Sequence, residues 1–511
     1  MKSIGLLLFS MLILLSSCFK DLDQNPLSTV TTDTYFATAR DFQMAVSGVY
    51  GVALRGATKG NSYGYPDRLM NLGETRSDNL YAITDGARDW EGINDFQSTI
   101  GNNTYVSEAW VNDYAAIAKA NLLLEKLEEK GKAIVNSDSL VTRYTAETRF
   151  LRAFCYFDLV RWYGPVPIVD KSLVAEQGVD YPREPVEKVY DFIISDLEYA
   201  AANLPASYPA KELGRVTKWA AKGILAEVYM AMSGPTYNIK GPGLAKNEWA
   251  KAYSLLNEIA EKGGFAMEAD YSTIFRTEHN KEIIFDVEYS SGDNATGGSF
   301  VWILTPDGYF KSIGFSAQGS NYQRPLANSF RSVFAPGDVR ANFGIGDGYV
   351  DNTSSNPVTY DYPFYIKWVD PARYGTGRTD WGVNFPVLRY TDVLMLRAEC
   401  TLHGGGGTQS EVDDIVHKVR IRAGDNSPVS GITLDQLFAE RRKEFFEEGT
   451  RWFDLQRSGK LVEHMEAFRL AEDALNHRVE PITNNAVIYP VPQSEMVKHP
   501  GLYTQNPGYD E

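Results

Sequence analysis

Residues 146–167 read AETRFLRAFCYFDLVRWYGPVP, and this stretch sets the helical character of the chain. Its apolar residues recur every three to four positions, which places them on one face of an α-helix. The stripe consists of Ala146, Phe150, Ala153, Phe154, Phe157 and Val160. Gly164 and Pro165 follow directly, and a proline cannot continue a helix because it lacks a backbone N–H. The pattern therefore predicts a long helix that ends before Gly164.

Similar apolar stripes lie on both sides of this segment. They comprise Tyr114, Ile117, Ala118 and Leu122; Ala221, Ile224, Leu225, Val228 and Met232; Val393, Leu396 and Cys400; Val412, Ile415, Val416 and Val419; and Leu434, Phe438, Phe445 and Trp452. The last set predicts one long helix, because three aromatic residues seven apart share a helical face. Short gaps between stripes favour helical hairpins like those of tetratricopeptide proteins, although the repeat period is irregular. We therefore predict a mainly α fold with minor β structure.

The middle of the chain, residues 264–388, has a different composition. Between Phe300 and Tyr390, 19 of 91 residues are aromatic, about 21% against 13% for the whole chain. Helical stripes are few there, whereas Gly, Asn, Asp and Pro are frequent. A long loop-rich region within a folded domain usually carries function. We predict that this aromatic insert bears a ligand site.

The N-terminus predicts the compartment. Residues 1–17 contain a basic start and an apolar stretch too short to span a bilayer, which is typical of a signal peptide. Leu15-Ser16-Ser17-Cys18 resembles the lipobox of bacterial lipoproteins, so we expect lipidation of Cys18 and a tether over residues 18–26. The alternative is a signal peptide that contains a cysteine by chance. Asp21 and Asp23 partly match an export signal to the cell surface, and a periplasm-facing position stays open.

Composition restricts the partners. The chain of 511 residues has a net charge of −16, whereas nucleic-acid binding needs a basic surface, so nucleic acid is not an expected partner. Beyond Cys18 only Cys155 and Cys400 remain. Both lie in apolar stripes, so we expect buried thiols, and the sequence leaves open whether they pair.

Motifs for catalysis and for metal binding are missing from the sequence. It contains no His-Glu-x-x-His, no zinc-spaced Cys/His cluster and no phosphate loop. His403 and the three glycines after it lie between two helical stripes, which favours a turn. Asp347, Asp351 and Asn352 occupy a Gly-rich loop in which calcium is possible, although a plain turn is favoured. We expect no catalytic residue, no metal and no cofactor, although the 66 acidic residues leave a glycosidase open.

Several blocks in the C-terminal third occur together in one order. They are Phe385–Glu399, Val416–Gly424, Glu440–Phe445, Arg451–Leu455, Tyr489–Glu495 and Gln505–Tyr509. With Arg149–Ala153 and Trp162–Pro167, this order resembles the SusD/RagB family of outer-membrane nutrient-binding lipoproteins of the Bacteroidetes. The resemblance covers nearly the whole chain. From the residues alone, Arg441, Arg451 and Trp452 are interpreted as structural, and 505–509 as a terminus that docks onto the body.

The resemblance implies a fold and a role. It implies a SusD-like fold with an N-terminal helical region at 27–263 and a C-terminal region at 264–511, in one compact unit. It also implies a cell-surface, lipid-anchored protein of the outer membrane that captures a nutrient, usually an oligosaccharide. The expected partner is a SusC-like TonB-dependent transporter, over which the protein lies as a lid.

Two loop segments supply candidate ligand contacts, because aromatic rings stack on sugars while polar side chains bind hydroxyl groups. The candidates are Asp78, Asn79, Tyr81 and Trp90 in the first segment, and Trp302, Tyr309, Tyr322 and Arg324 in the second. Trp368, Trp381, Tyr374 and Arg378 rank lower. An ordinary packed aromatic is an equal interpretation of each. A peptide ligand, which the acidic charge would suit, and a cryptic hydrolase are the alternatives.

Overall fold

The computed structural model describes residues 35–56, 64–82, 88–173, 181–292, 296–315, 324–351 and 357–510. The predicted signal peptide, Cys18 and the tether lie outside the described residues. So do Tyr322 and Asn352. Among the described helices, none is both long and apolar enough to cross a membrane.

Helices dominate the described chain. The α-helices are α1 Ala39–Arg55, α2 Tyr65–Arg68, α3 Asp89–Asn94, α4 Thr104–Lys126, α5 Lys132–Val135, α6 Asp138–Tyr163, α7 Val186–Asn203, α8 Lys218–Ser233, α9 Trp249–Lys262, α10 Thr273–Arg276, α11 Asp307–Ser312, α12 Asn328–Arg331, α13 Val339–Gly344, α14 Tyr390–Leu402, α15 Gln409–Arg422, α16 Leu434–Glu444, α17 Arg451–Ser458, α18 Leu461–Glu472 and α19 Gln493–Lys498. Short π-helical turns extend α2 over Leu69–Glu74 and α4 over Leu127–Gly131. The mainly α prediction is confirmed.

Helix α6 is the helix that the 146–167 pattern predicts. It begins after Ser137, whose hydroxyl accepts a hydrogen bond from the Leu140 amide at 3.4 Å. Gly164 caps its C-terminal end with a φ of +70°, a left-handed angle that glycine adopts more readily than other residues. A side chain would not fit there, because a Cβ would lie 2.2 Å from the Lys240 carbonyl oxygen. The predicted end of the helix is therefore correct.

The larger helices form a layer in which neighbours pack side by side. The contacts run from α1 through α4, α6, α7, α8 and α9 to α14 and α15. Thr217 caps α8 by accepting a hydrogen bond from the Ala220 amide at 3.3 Å. His403, in the turn between α14 and α15, stacks on Trp249 with ring centroids 3.9 Å apart. The layer therefore joins the two regions on either side of residue 264.

The strands are short and pair in twos. They are β1 Val166–Pro167, β2 Arg183–Glu184, β3 Ile283–Val287, β4 Ile345–Gly346, β5 Tyr349–Asp351, β6 Val358–Tyr360, β7 Phe364–Tyr365 and β8 Phe385–Arg389. The antiparallel pairs are β1–β2, β3–β8, β4–β7 and β5–β6. Strand β8 leads directly into α14, so β3–β8 connects the aromatic insert to the helical layer.

The main core runs from Phe36 to Tyr503, so both predicted regions share it. Cys155 and Cys400 are buried free thiols, and no disulfide joins them. Burial raises the pKa of Cys155 well above its ordinary value. Buried protonated thiols of this kind are inert.

The predicted single helix from Leu434 to Trp452 is wrong. Helix α16 ends at Glu444, and α17 begins at Arg451. The break contains Gly449 at φ +72°, where a Cβ would lie 2.5 Å from the Leu69 side chain. Lys367 also donates to the Phe446 carbonyl at 2.8 Å. Tertiary contacts therefore hold an interruption that the apolar spacing does not reveal.

The structural interpretation of Arg441, Arg451 and Trp452 is confirmed. Arg441 donates to both carboxylate oxygens of Asp454 at 2.9 and 3.1 Å and to Asp392 at 2.7 Å. Trp452 and Arg451 are buried. Because all three side chains are enclosed, they hold α16 and α17 to the rest of the protein.

The docking of residues 505–509 is also confirmed. The Asn506 amide donates to the Tyr163 and Tyr489 carbonyls at 2.9 and 2.6 Å. The Tyr509 hydroxyl donates to the Ile488 carbonyl at 2.7 Å. These bonds close the C-terminus against the end of α6.

Candidate functional site

The two segments with candidate ligand contacts pack against each other. Leu80 and Leu326 form an antiparallel bridge. The Tyr81 amide donates to the Pro325 carbonyl at 3.1 Å, and the Ala327 amide donates to the Asn79 carbonyl at 2.9 Å. The backbone thus brings together segments that are far apart in sequence.

Asp78 and Asn79 lie inside the protein. Arg451 donates to both carboxylate oxygens of Asp78 at 2.8 Å, and Arg442 donates to the Asn79 side-chain oxygen at 2.7 Å. The Asn79 amide donates to Glu74 at 2.8 Å. Burial alone would raise the pKa of Asp78, but Arg442 and Arg451 hold it well below its ordinary value. In this structure, both side chains fix the segment by internal bonds.

Tyr81 is also largely enclosed, with 6% of its surface exposed. Its hydroxyl donates to Asp473 at 2.6 Å and accepts from the Asn476 amide at 2.9 Å. Burial, together with the bond to Asp473, raises the pKa of Tyr81 to about 12. The side chain therefore links the first candidate segment to the end of α18.

Trp90 and Arg324 form a buried pair that connects the two segments. The guanidinium carbon lies 5.3 Å from the indole centroid, within the range of a cation–π contact. Arg324 donates to Asn71 and Thr75 at 2.9 Å and to the Ile303 carbonyl at 3.0 Å. Burial lowers the pKa of Arg324 to about 10, so it stays charged at neutral pH. Its bond to Ile303 fixes the turn that carries Trp302.

Trp302 is partly exposed, in the turn Phe300–Trp302. The Arg378 guanidinium carbon lies 4.2 Å from the centroid of its ring, and Nη1 of Arg378 is 3.7 Å from Oδ2 of Asp307. Within the described chain, the Trp302 Nε1 and both Asp307 carboxylate oxygens have no hydrogen-bond partner. Burial raises the pKa of Asp307, and Arg378 opposes that rise. The Trp302 ring is thus partly exposed, whereas its Nε1 and the Asp307 carboxylate are buried beside Arg378.

Tyr309, on α11, belongs to a cluster of aromatic rings. Its ring lies 5.1 Å from Phe364 and 6.3 Å from Tyr349, and burial raises its pKa. Tyr349 stacks on Tyr360 at 4.9 Å, with Tyr362 edge-on to both at 6.4 and 6.2 Å. Tyr309, Tyr360 and Tyr362 are partly exposed. Trp302 lies in the turn that precedes α11, which carries Tyr309. We use the name aromatic surface for the four partly exposed rings of Trp302, Tyr309, Tyr360 and Tyr362.

Tyr360 and Tyr362 are not among the residues predicted from the sequence. A signal for them exists in residues 358–365, which read VTYDYPFY. Tyr360, Tyr362 and Phe364 alternate with other residues, and period-two spacing places side chains on one face of an extended chain. The high aromatic content identified the region, but it did not reveal that Tyr360, Tyr362 and Phe364 alternate along the chain.

The lower-ranked loop contributes one residue next to the aromatic surface. Trp368 and Trp381 are buried, and their indole N–H groups donate to the carbonyls of Glu447 at 3.0 Å and Arg378 at 2.9 Å. Tyr374 packs edge-on against Trp381 at 4.9 Å. These rings support the loop, and Arg378 is the member that contacts Trp302.

In the loop considered for calcium, the Asp347 carboxylate is already bonded to a protein side chain. Arg331 donates to both of its carboxylate oxygens at 2.7 and 2.9 Å, which lowers the pKa of Asp347. Asp351 ends strand β5. In the part of the chain that the structure describes, no group of three acidic, His or Cys side chains is arranged to hold a metal. Asp347 is therefore better explained as a partner of Arg331.

Two family models match the chain. The model described as the SusD family matches residues 309–509, and the model described as "Starch-binding associating with outer membrane" matches residues 22–230. Together they cover both the N-terminal helical region and the C-terminal region. The chain belongs to the SusD family.

Relatives of this SusD-family chain match it over most of their length. A SusD-like protein of Bacteroides ovatus is 27% identical over 489 residues, which cover 89% of this chain and 82% of the relative. SusD-like protein P2 of Formosa agariphila is 25% identical, with both chains fully covered. The predicted family is confirmed.

Solved structures share the fold. Surface glycan-binding protein A from Bacteroides uniformis matches with a TM-score of 0.76 and 23% identity, covering 93% of this chain and all of that one. The protein of the same name from Bacteroides thetaiotaomicron, in complex with laminarihexaose, matches with a TM-score of 0.76 and 21% identity, covering 92% and 100%. The SusD-like fold prediction is therefore confirmed.

In this SusD-family chain, the candidate residues divide into two layers. Asp78, Asn79, Tyr81, Trp90 and Arg324 form a buried support. Trp302 and Tyr309 lie further out and keep exposed ring surface. Of the described candidates, these two keep ring surface exposed to solvent.

Proposed function

We propose that the protein captures a glycan at the cell surface and passes it, chemically unchanged, to a SusC-like TonB-dependent transporter. The family relationship supports this role. One relative is named "Starch-binding protein SusD", with 27% identity over 184 residues, and one structural neighbour is titled "Laminarin binding SusD-like protein". The glycan itself is not specified by this support.

The observation that carries the proposal is the partly exposed aromatic surface. Pyranose rings present C–H faces that pack on Trp and Tyr rings, and their hydroxyl groups both donate and accept hydrogen bonds. Trp302 and Tyr309 offer partly exposed rings for such packing.

The proposal places the protein on the outer membrane through a lipid on Cys18. One of the matching family models is described as associating with the outer membrane. A single acyl chain anchors weakly, so firm attachment needs the two or three chains of a bacterial lipoprotein. Capture by stacking and hydrogen bonding requires no metal, no cofactor and no covalent step.

Affinity electrophoresis of the purified protein through gels containing single polysaccharides tests this function. One glycan is expected to retard the protein, with no release of reducing sugar after incubation. Peptide mixtures are titrated in parallel by calorimetry. If no glycan retards the protein but peptides release heat on titration, the ligand is a peptide. If reducing sugar is released, the protein is a hydrolase.

A further inference from the structure

A cleft of about 280 Å³ lies between α16, α17 and α18. A single water needs roughly 10–15 Å³, so the cleft has room for a small molecule. Phe438 and Leu455 form an apolar part of its wall, and the exposed residues Ala439 and His464 also line it. It shares no lining residue with the aromatic surface.

Two arginines in the cleft wall have unused hydrogen-bonding capacity. Arg451 bonds Asp78 through Nε and Nη2, and Arg442 bonds Asn79 and the Asp78 carbonyl through the same two nitrogens. In the described chain, Nη1 of each arginine makes no hydrogen bond. The two side chains are 6% and 13% exposed, and both line the cleft.

The acids in the wall are neutralised by cations outside it. Asp435 accepts from Lys460 at 2.6 and 2.7 Å, and Asp454 is held by Arg441 and Arg457. These two carboxylates therefore contribute little negative charge to the cleft.

The cations in the wall outnumber the acid that faces them. Arg442, Lys443 and Arg451 line the cleft. Arg442 and Arg451 share one acid, Asp78. Lys443 pairs with Glu440 at 3.1 Å, and Arg340 and Arg420 also hold that carboxylate. Partial enclosure by its neighbours lowers the pKa of His464, Arg451 lowers it further, and Asp78 opposes both effects. The cleft is thus electropositive although the chain is acidic overall.

We propose that this cleft binds a small ligand bearing a carboxylate, such as a uronic acid. The two Nη1 donors match carboxylate oxygens, which form their strongest hydrogen bonds with guanidinium groups. The apolar wall at Phe438 and Leu455 suits the C–H face of a sugar ring. The site is independent of the proposed function, because it uses none of the residues of the aromatic surface.

Calorimetry with sodium galacturonate, and with galactose as the neutral probe, tests the site at low and high salt. Galacturonate is expected to bind at least about tenfold more tightly than galactose and to weaken as salt is raised. Ala439→Glu adds a negative charge at an exposed lining position and is expected to weaken galacturonate about tenfold or more. Ala439→Gln, which has the same shape without the charge, is expected to bind like the parent.

Four results would each overturn the proposal. They are no galacturonate binding, equal binding of galactose, equal binding by the Ala439→Glu and Ala439→Gln variants, and tighter binding of inorganic sulfate, which would assign the cleft to another oxyanion. The Trp302→Ala variant is expected to bind galacturonate like the parent. Loss of binding there would place galacturonate on the aromatic surface, which separates this site from the proposed function.

Discussion

Arg451 and Asp78 form a buried ion pair in which each side chain compensates the charge of the other. Both side chains are 6% exposed, and the guanidinium makes two hydrogen bonds of 2.8 Å. Removing one partner leaves the other charge buried without full compensation, which typically costs about 3–5 kcal/mol. We therefore expect Arg451→Met to lower the free energy of unfolding in urea by that amount.

Lys460→Met is the matched control for this prediction. Lys460 pairs with Asp435, but the two side chains are 40% and 64% exposed. Exposed pairs contribute about 0–1 kcal/mol, so the control is expected to stay within that range. Equal losses in the two variants would contradict a structural role for Arg451.

The charge of Asp78 also predicts a pH dependence. Arg442 and Arg451 outweigh burial and lower its folded-state pKa, while the unfolded pKa is about 3.9. The stabilisation that ionised Asp78 gives to the folded state is therefore fully present above about pH 3.9, the unfolded pKa. It is lost as the pH falls from there towards the lower folded-state pKa. In urea titrations, we expect the Asp78→Asn variant to lose less stability than the parent between neutral pH and about pH 3. Parallel losses would show that Asp78 is not a source of acid sensitivity.

The break between α16 and α17 contains a glycine that leaves no room for a side chain. Gly449 has φ +72°, and an added Cβ would lie 2.5 Å from Leu69. Gly449→Ala combines an unfavourable backbone angle, which alone costs about 1–3 kcal/mol, with a collision against Leu69. We therefore expect the free energy of unfolding to fall by more than the backbone angle alone would cause. Gly431→Ala is the control, because its φ is +66° and no atom lies within 4 Å. The two variants would be equally stable if Leu69 did not constrain the break.

Helices were predictable from sequence where their signals are local. The 146–167 stripe and the stripe from Ala221 to Met232 act within a few turns of chain, and both gave correct helices. The break at Gly449 was not predictable, since it is set by Leu69 and Lys367, which are distant in sequence.

The same limit applies to the candidate site. Loop position and side-chain chemistry selected both Asp78 and Trp302, but only their tertiary partners separate a buried support from an exposed ring. Arg451 encloses Asp78, whereas Trp302 keeps exposed surface. The partial exposure of Tyr360 and Tyr362 likewise depends on tertiary packing, since both rings lie against Tyr349, which packs on Tyr309 and Phe364.

For the whole molecule, membrane attachment is expected to depend on one cysteine. Cys18→Ala removes the proposed acceptor of the lipid, so we expect the protein to leave the membrane fraction after cell lysis. Cys155→Ala changes a buried thiol that has no such role, and this control is expected to stay with the membrane. A Cys18→Ala protein that sediments with the membrane would contradict the lipid anchor.

Calorimetric titration of an oligosaccharide from the retained glycan tests capture by the aromatic surface most directly. Trp302→Ala is expected to weaken binding at least about tenfold, because a buried aromatic contact often contributes more than 1.4 kcal/mol. Tyr199→Ala removes a partly exposed aromatic on α7 in the helical layer and is expected to bind like the parent. Equal affinities for the parent and both variants would contradict glycan capture at Trp302.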